Sequence, residues 1–188
     1  MLSSSDVNRY NSSIKGIIDS WYKQNLISKT NMLEDTVYCN ARNMINQSTN
    51  GWNKDGSLST YMYFKNFTLN NDLSCINETD QFAVSNNKAK LTYPVSLATI
   101  EELYTLTNNN NSTYYSTLTN TGAYWWGLSP YNFDDSIAYM RRVYSDGNVN
   151  STTNAGYDSG VRLVVSLNTG AVISSGDGST ENPFIISE

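Results

Sequence analysis

Near the start of the chain, apolar residues recur at spacings of three and four: Val7, Tyr10, Ile14, Ile17, Ile18 and Trp21. That period predicts an amphipathic helix within residues 1–28, packed on the core by its Trp21 face. Ser4 or Ser5 can cap it, Asp6 is favourable in its first turn, and Gly16 weakens it slightly. From residue 36 to 92 the period is lost. Asn50-Gly51 and Asp55-Gly56 are turn signals, and Tyr61-Met62-Tyr63-Phe64 and Phe82-Ala83-Val84 are short apolar runs, so long loops are expected. Thr99 then caps a short helix over Ile100–Leu106, with Glu101 and Glu102 in its first turn, ending in the polar loop Asn108–Asn111.

Residues 120–188 read as strands. The candidates are Tyr124–Leu128, Ile137–Tyr144, Val161–Leu167, Ala171–Ile173 and Phe184–Ile186. Asp146-Gly147 supplies a hairpin turn, and Gly176-Asp177-Gly178-Ser179 a turn or linker. Helices first and strands later make the class α+β, and the length of 188 residues fits one domain, 1–188.

Composition narrows the function. Four Trp and fourteen Tyr stand beside only 15% charged residues, so Asn, Ser and Thr carry most of the polar surface. That balance fits a surface-exposed, β-rich protein. The net charge of −5 and the single adjacent basic pair, Arg141-Arg142, exclude a dense phosphate-binding face, so no nucleic-acid partner is expected. No run is apolar enough to insert directly in a membrane. Met1–Ser5 lacks a basic start and an apolar stretch, which is read as a chain whose targeting segments have been left out, the alternative being an intracellular protein.

Cys39 and Cys75 are the only cysteines. Either they are two buried free thiols or they form one disulfide. The disulfide is the favoured reading and fits an oxidising compartment. It would close a loop of 35 intervening residues, worth roughly 4 kcal/mol in the chain-entropy model.

With no histidine, Ser-His-Asp, Cys-His and HExxH sites cannot form. Glu101 with Glu102, and Asp134 with Asp135, are the paired carboxylates that glycoside hydrolysis would need, but neighbours in sequence point apart. Asp35, Asp134, Asp146 and Asp158 could meet only through the fold. No catalytic residue is assigned, and no cofactor is expected. Calcium is the one ion with a sequence signal: Asp146, Asn148 and Asn150 match the opening spacing of an EF-hand loop. Ser151 stands at the glycine position and Tyr157 at the bidentate glutamate position, so an ordinary Asp/Asn turn is the competing reading. The sequons at Asn66 and Asn77 carry little weight in a chain so rich in Asn, Ser and Thr.

Several segments together resemble one family. Trp125-Trp126-Gly127-Leu128-Ser129-Pro130 resembles its WW-x-x-SP motif, and Ala138-Tyr139 through Asn150 its strand-turn-strand core. Tyr157–Arg162 resembles its S-x-GVRP segment, and Gly176-Asp177-Gly178 through Ile186 its closing GTG-x-x-x-NPYVI. Ile18–Tyr22 and Asp35–Arg42 resemble its IDxWY and DTVxCNDR segments. These are uncharacterised surface domains, mostly of Gram-positive bacteria, similar to C-type-lectin folds of the formylglycine-generating-enzyme type. The resemblance implies an N-terminal helix, a short helix, small antiparallel sheets and long loops. It also implies a ligand-displaying module of a larger extracellular or cell-surface protein, with a glycan or protein as partner. Leu163 and Ala41 depart from the family's Pro and Asp. No cysteine follows Cys75, which argues against formylglycine-generating chemistry, and the EPN and WND calcium-sugar motifs are missing.

In such a fold the C-terminal half forms the display face. The expected residues are Tyr131, Asn132, Phe133, Asp134, Tyr139, Arg141, Tyr144 and Asn148, since Tyr and Arg supply contact area and directional hydrogen bonds. Alternation along Ile137–Tyr144 puts Tyr139 and Arg141 on one face, and Ala138 and Met140 on the other, read as core. Replacing Tyr139 and Arg141 with Ala is therefore expected to abolish binding and leave the domain folded. Trp125, Trp126 and Arg162 are assigned to structure, with Asp158 as a partner for Arg162. A binding module is the leading class, a structural spacer the second and an enzyme the third.

Overall fold

A computed structural model describes residues 12–41, 61–62, 73–108, 119–134, 137–149, 151–179 and 181–187. The expectations for Ser4 to Tyr10, the Asn50-Gly51 and Asp55-Gly56 turns, Tyr63-Phe64, Asn66, Asn109–Asn111, Asp135 and Asn150 lie outside them.

The first helix, α1, spans Ser13–Asn25. Ser12 caps it, its side chain accepting from the Lys15 backbone N–H at 3.1 Å. The buried face is not the expected one. Ile18 and Tyr22 are buried, with Ile14 and Leu26 packed beside them, whereas Ile17 and Trp21 are 60% and 42% exposed. The inward residues form a single i, i+4 row, and Tyr22 is locked there by stacking on Tyr93, with ring centroids 5.0 Å apart. The apolar arc is wide enough for either row to face inward, so the partner surface chooses. Gly16 sits on the open side, where an added Cβ would meet nothing within 4 Å. Gly16→Ala is expected to stabilise the domain by about 0.5–1 kcal/mol, visible in denaturant melts as a higher midpoint at unchanged slope.

A 3₁₀ segment, Ile27–Met32, leads to β1, Leu33–Glu34. β2, Tyr38–Cys39, pairs with β4, Gln81–Phe82, and β3 is Tyr61–Met62. Asp35, between β1 and β2, accepts the backbone N–H groups of Val84 and Ser85 at 2.7 and 2.8 Å, tying the loop after β4 to this strand pair. Desolvation pushes its carboxyl up, but the donors at Val84 and Ser85 outweigh it and hold the group below its usual range. Cys39 and Cys75 form a disulfide, with Cα atoms 5.7 Å apart.

β5, Ser96–Leu97, precedes the second helix, α2, Ile100–Asn108. Its start is a capping box, as the sequence predicts. The Glu102 carboxylate accepts from the Thr99 N–H at 2.7 Å and its hydroxyl at 2.9 Å, and the Thr99 hydroxyl accepts from the Glu102 N–H at 3.2 Å.

The principal sheet has strand order β3-β6-β7-β8, with β6 Trp125–Asp134, β7 Ile137–Val143 and β8 Ser151–Asn154. β6 runs past the expected Leu128 because its register shifts on both sides of Pro130, a bulge that admits the missing N–H. After β7, Gly147 takes φ +91° in the turn, where a Cβ would meet the Thr119 hydroxyl at 2.7 Å and the Asn120 nitrogen at 2.9 Å.

The expected strand Val161–Leu167 is two strands. β9, Leu163–Val164, pairs with β5, and β10, Ser166–Leu167, pairs with β1. Two different partners on either side of Val165 break the run. β11, Val172–Ser175, and β12, Ile185–Ser187, form a hairpin that leaves Val172, Ile173 and Ile185 exposed. The molecule is α+β, with few helices and small antiparallel sheets.

The β6–β7 pair has a core on each face. Trp125 and Val143 pack with Ala98, Ile100, Leu103 and Val149 on the α2 side. Trp126 packs with Ile18, Tyr22, Val95 and Leu97 on the α1 side, joined by Leu128 and Met140. Adjacent tryptophans point to opposite faces of a strand, so both are buried only because both faces are covered. The Trp125 indole N–H finds the Thr119 carbonyl at 3.1 Å.

Candidate ligand-binding face

The two-sided core decides which strand residues can meet a ligand. Arg141 cannot share an open face with Tyr139: it is 3% exposed, on the α2 side. Its guanidinium lies 4.6 Å from the centre of the Tyr131 ring. Burial pushes Arg141 below its usual value, and Tyr131 and the Glu101 carboxylate act in the opposite sense. Glu101 is itself 7% exposed on the first turn of α2. That turn is fixed to β6, since the Ile100 N–H donates to the Ser129 hydroxyl at 2.9 Å and the Leu128 N–H to the Ala98 carbonyl at 2.8 Å. Arg141 is thus held between a helix and a sheet.

The other expected face residues scatter. Tyr131 lies under Arg141, and Tyr139 is half-buried. Asn132, Phe133 and Asp134 belong to the backbone of β6, opposite Tyr139, Ala138 and Ile137, and their side chains lie outside the described residues. Ala138, expected in the core, is exposed, whereas Met140 packs on the α1 side as expected. Tyr144 and Asn148 are exposed.

On the α1 face, register and alternation build a group beyond the helix. Trp126 pairs with Arg142, which places Tyr124, Arg142 and Tyr144 together where α1 no longer covers the sheet. The Arg142 guanidinium lies 4.2 Å from the Tyr124 ring centre and 5.7 Å from that of Tyr144. The two rings are 5.4 Å apart and tilted by 58°. Tyr124 is 40% exposed and Tyr144 37%. The chain returns beside them: the Gly160 N–H donates to the Tyr124 carbonyl at 2.7 Å, and Arg162 lies over the Trp125 ring at 5.0 Å. Arg142 and Tyr144 are legible as an i, i+2 pair; Tyr124 needs the cross-strand register.

Glu101 and Glu102 both line one small cavity of about 50 Å³ beside Thr99 and Cys39, and Asp35 and Asp146 serve separate loops. The Glu101 charge acts on Arg141, Glu102 closes the Thr99 cap, and Asp35 serves the loop after β4. Asp146 closes its own turn, accepting the Asn148 N–H at 2.9 Å. Among the described residues there is no group of three or more His, Cys, Asp or Glu placed to hold a metal ion. Also among them, no helix is long and apolar enough to cross a membrane.

Comparison with protein-family models, curated proteins and solved structures finds no match for this chain.

Proposed function

We propose that this domain is an extracellular, cell-surface binding module, one unit of a larger surface protein, whose ligand is a glycan held on the Tyr124–Arg142–Tyr144 face. The observation that carries the reading is the cluster of the Arg142 guanidinium with two exposed tyrosine rings that also touch each other. Tyrosine faces accept the apolar C–H faces of a sugar ring. A guanidinium held over the Tyr124 ring presents N–H donors to hydroxyls or carboxylates at little cost in side-chain entropy. The disulfide supports an oxidising compartment. A C-type-lectin-like scaffold is the finer fold we assign, on the N-terminal helix, the second short helix, the small antiparallel sheets and the segment resemblance together. Binding rather than catalysis is proposed because Glu102, Asp35 and Asp146 each hold a cap or a turn.

The test is a glycan array probed with the purified domain in calcium and then in EDTA. Tyr124→Ala and Tyr144→Ala are each expected to weaken binding about tenfold, and the double variant to abolish it, with the melting temperature nearly unchanged. Binding retained in EDTA supports the Tyr–Arg face. Binding lost in EDTA moves the site to the Asp146 turn. No glycan binding at all leaves a protein ligand or a spacer.

A further inference from the structure

The last two strands, β11 and β12, pair only with each other, so both outer edges of the hairpin are open among the described residues. Register fixes their faces. Ile173 stands opposite Ile186, and Val172 opposite Ser187. Alternation therefore puts Ile173 and Ile186 on one face, and Val172 and Ile185 on the other. Val172, Ile173, Phe184 and Ile185 are each more than half exposed, and Ile186 is half-buried.

This hairpin is tightly built. The Asp177 and Gly178 N–H groups donate to the Asn182 carbonyl at 3.0 and 3.2 Å, and the Asp177 carboxylate accepts the Ser179 N–H at 2.9 Å. The Phe184 ring lies over Gly178, where an added Cβ would stand 2.6 Å from it. Across the bulge in β11, the Ser174 hydroxyl donates to the Ile185 carbonyl at 3.1 Å. A two-stranded hairpin is marginal on its own, so apolar side chains on both of its faces call for a cover. Four half-exposed apolar side chains, at about 100 Å² each, leave about 400 Å² uncovered, the size of patch that marks a contact surface.

Charge selects what covers it. Residues Asn168–Gly176 and Asn182–Ser187 contain no charged side chain. Such a surface offers a charged partner nothing to pair with. Its strands also lack the lysines that natural edge strands use to repel their own kind. The whole chain carries a net charge of −5, so two copies repel over much of their surface, but at this hairpin they meet without opposing like charges. A two-fold axis sets each apolar residue against the same apolar patch, which makes the surface complementary to itself. Two copies bring together about 800 Å², and the strand edges extend this to roughly 1,000 Å², the lower bound for a specific interface.

We propose that the β11–β12 hairpin is a self-association surface, on which a second copy of this chain seats its own hairpin about a two-fold axis, covering Val172, Ile173 and Ile185 of both. The surface is separate from the Tyr124–Arg142–Tyr144 face and does not depend on it.

The test is sedimentation velocity of the unaltered domain from about 5 μM to 1 mM, with ¹⁵N NMR spectra over the same range. A monomer–dimer equilibrium is expected, with a dissociation constant on the order of 10–100 μM. Raising the salt from about 50 to 500 mM should tighten it about twofold to fivefold, since like net charge is screened and the interface is apolar. The amides of Val172, Ile173 and Ile185 should shift with concentration, and those of Tyr124 and Tyr144 should not. Ile173→Lys with Ile185→Lys, one on each face, should remain a monomer at every concentration. A single monomeric species at 1 mM would overturn the proposal, as would a dimer that persists in the double variant or whose shifts map away from the hairpin. The concentration series and the NMR map need no variant, so a misfolded variant does not spare it.

Discussion

Arg141→Ala is expected to destabilise the domain by about 3–5 kcal/mol and to lower its melting temperature by roughly 10 °C. Three things are lost at once. The guanidinium leaves the Tyr131 ring, the methylene stem leaves a hole beside the sheet, and the buried Glu101 carboxylate loses the charge opposite it. The last loss is the largest, because removing one member of a buried pair of opposite charges costs more than the pair contributes. A second variant separates the terms. Arg141→Met combined with Glu101→Leu removes both charges and keeps most of the volume, and it should recover most of the lost stability. Calorimetric melts of the three proteins check this. An Arg141→Ala protein that melts with the unaltered domain would return Arg141 to an exposed role.

The second large effect is on the disulfide. Cys39→Ser with Cys75→Ser is expected to cost about 4 kcal/mol, since the bridge closes a sequence separation of 36 residues. The loss should appear as a fall of roughly 10 °C in the melting temperature, and the reducing agent dithiothreitol should bring the unaltered protein toward the same value. Equal melting with and without reductant would show that the bridge carries no stability. The cost falls on the strand pair β2–β4, since Cys39 lies in β2 and the Gln81 side chain of β4 donates to the Cys75 carbonyl. Asn40, next to Cys39, should feel it first.

Local chemistry was readable without a fold. The Thr99–Glu102 box needs only residues three apart, and its hydrogen bonds form as the spacing requires. The Asp146-Gly147 turn follows from a residue that tolerates positive φ after one that closes a turn with its side chain. The strand Ile137–Val143 follows from a run of alternating residues, and the α+β class from helices early in the chain and strands late. In each case the deciding contacts lie within a few residues of one another.

Faces were less readable, for a common reason. Alternation assigns strand residues to two sides but does not say which side is wet. Alternation puts Met140 on the α1 side, where it packs, but it also puts Ala138 in the core, where the structure exposes it, and it leaves Arg141 open, where the structure buries it on the side of α2. Similarly, Ile17 and Trp21 fit a helix stripe as well as Ile18 and Tyr22 do; Tyr93, distant in sequence, selects the latter. The split of Val161–Leu167 depends on β1 and β5, both far upstream.

The candidate sites show the same division. Sequence by itself determined that no histidine-based chemistry is possible, that the surface is rich in Tyr and poor in charge, and that Tyr144 follows a basic pair at strand spacing. Only the tertiary structure decided that Arg142 rather than Arg141 meets the open face, and that Tyr124 joins Arg142 and Tyr144 in one cluster. Covalent order and side-chain period are local and survive in any conformation of the chain. Exposure is a relation between segments, and it exists only once two helices have chosen opposite faces of one sheet.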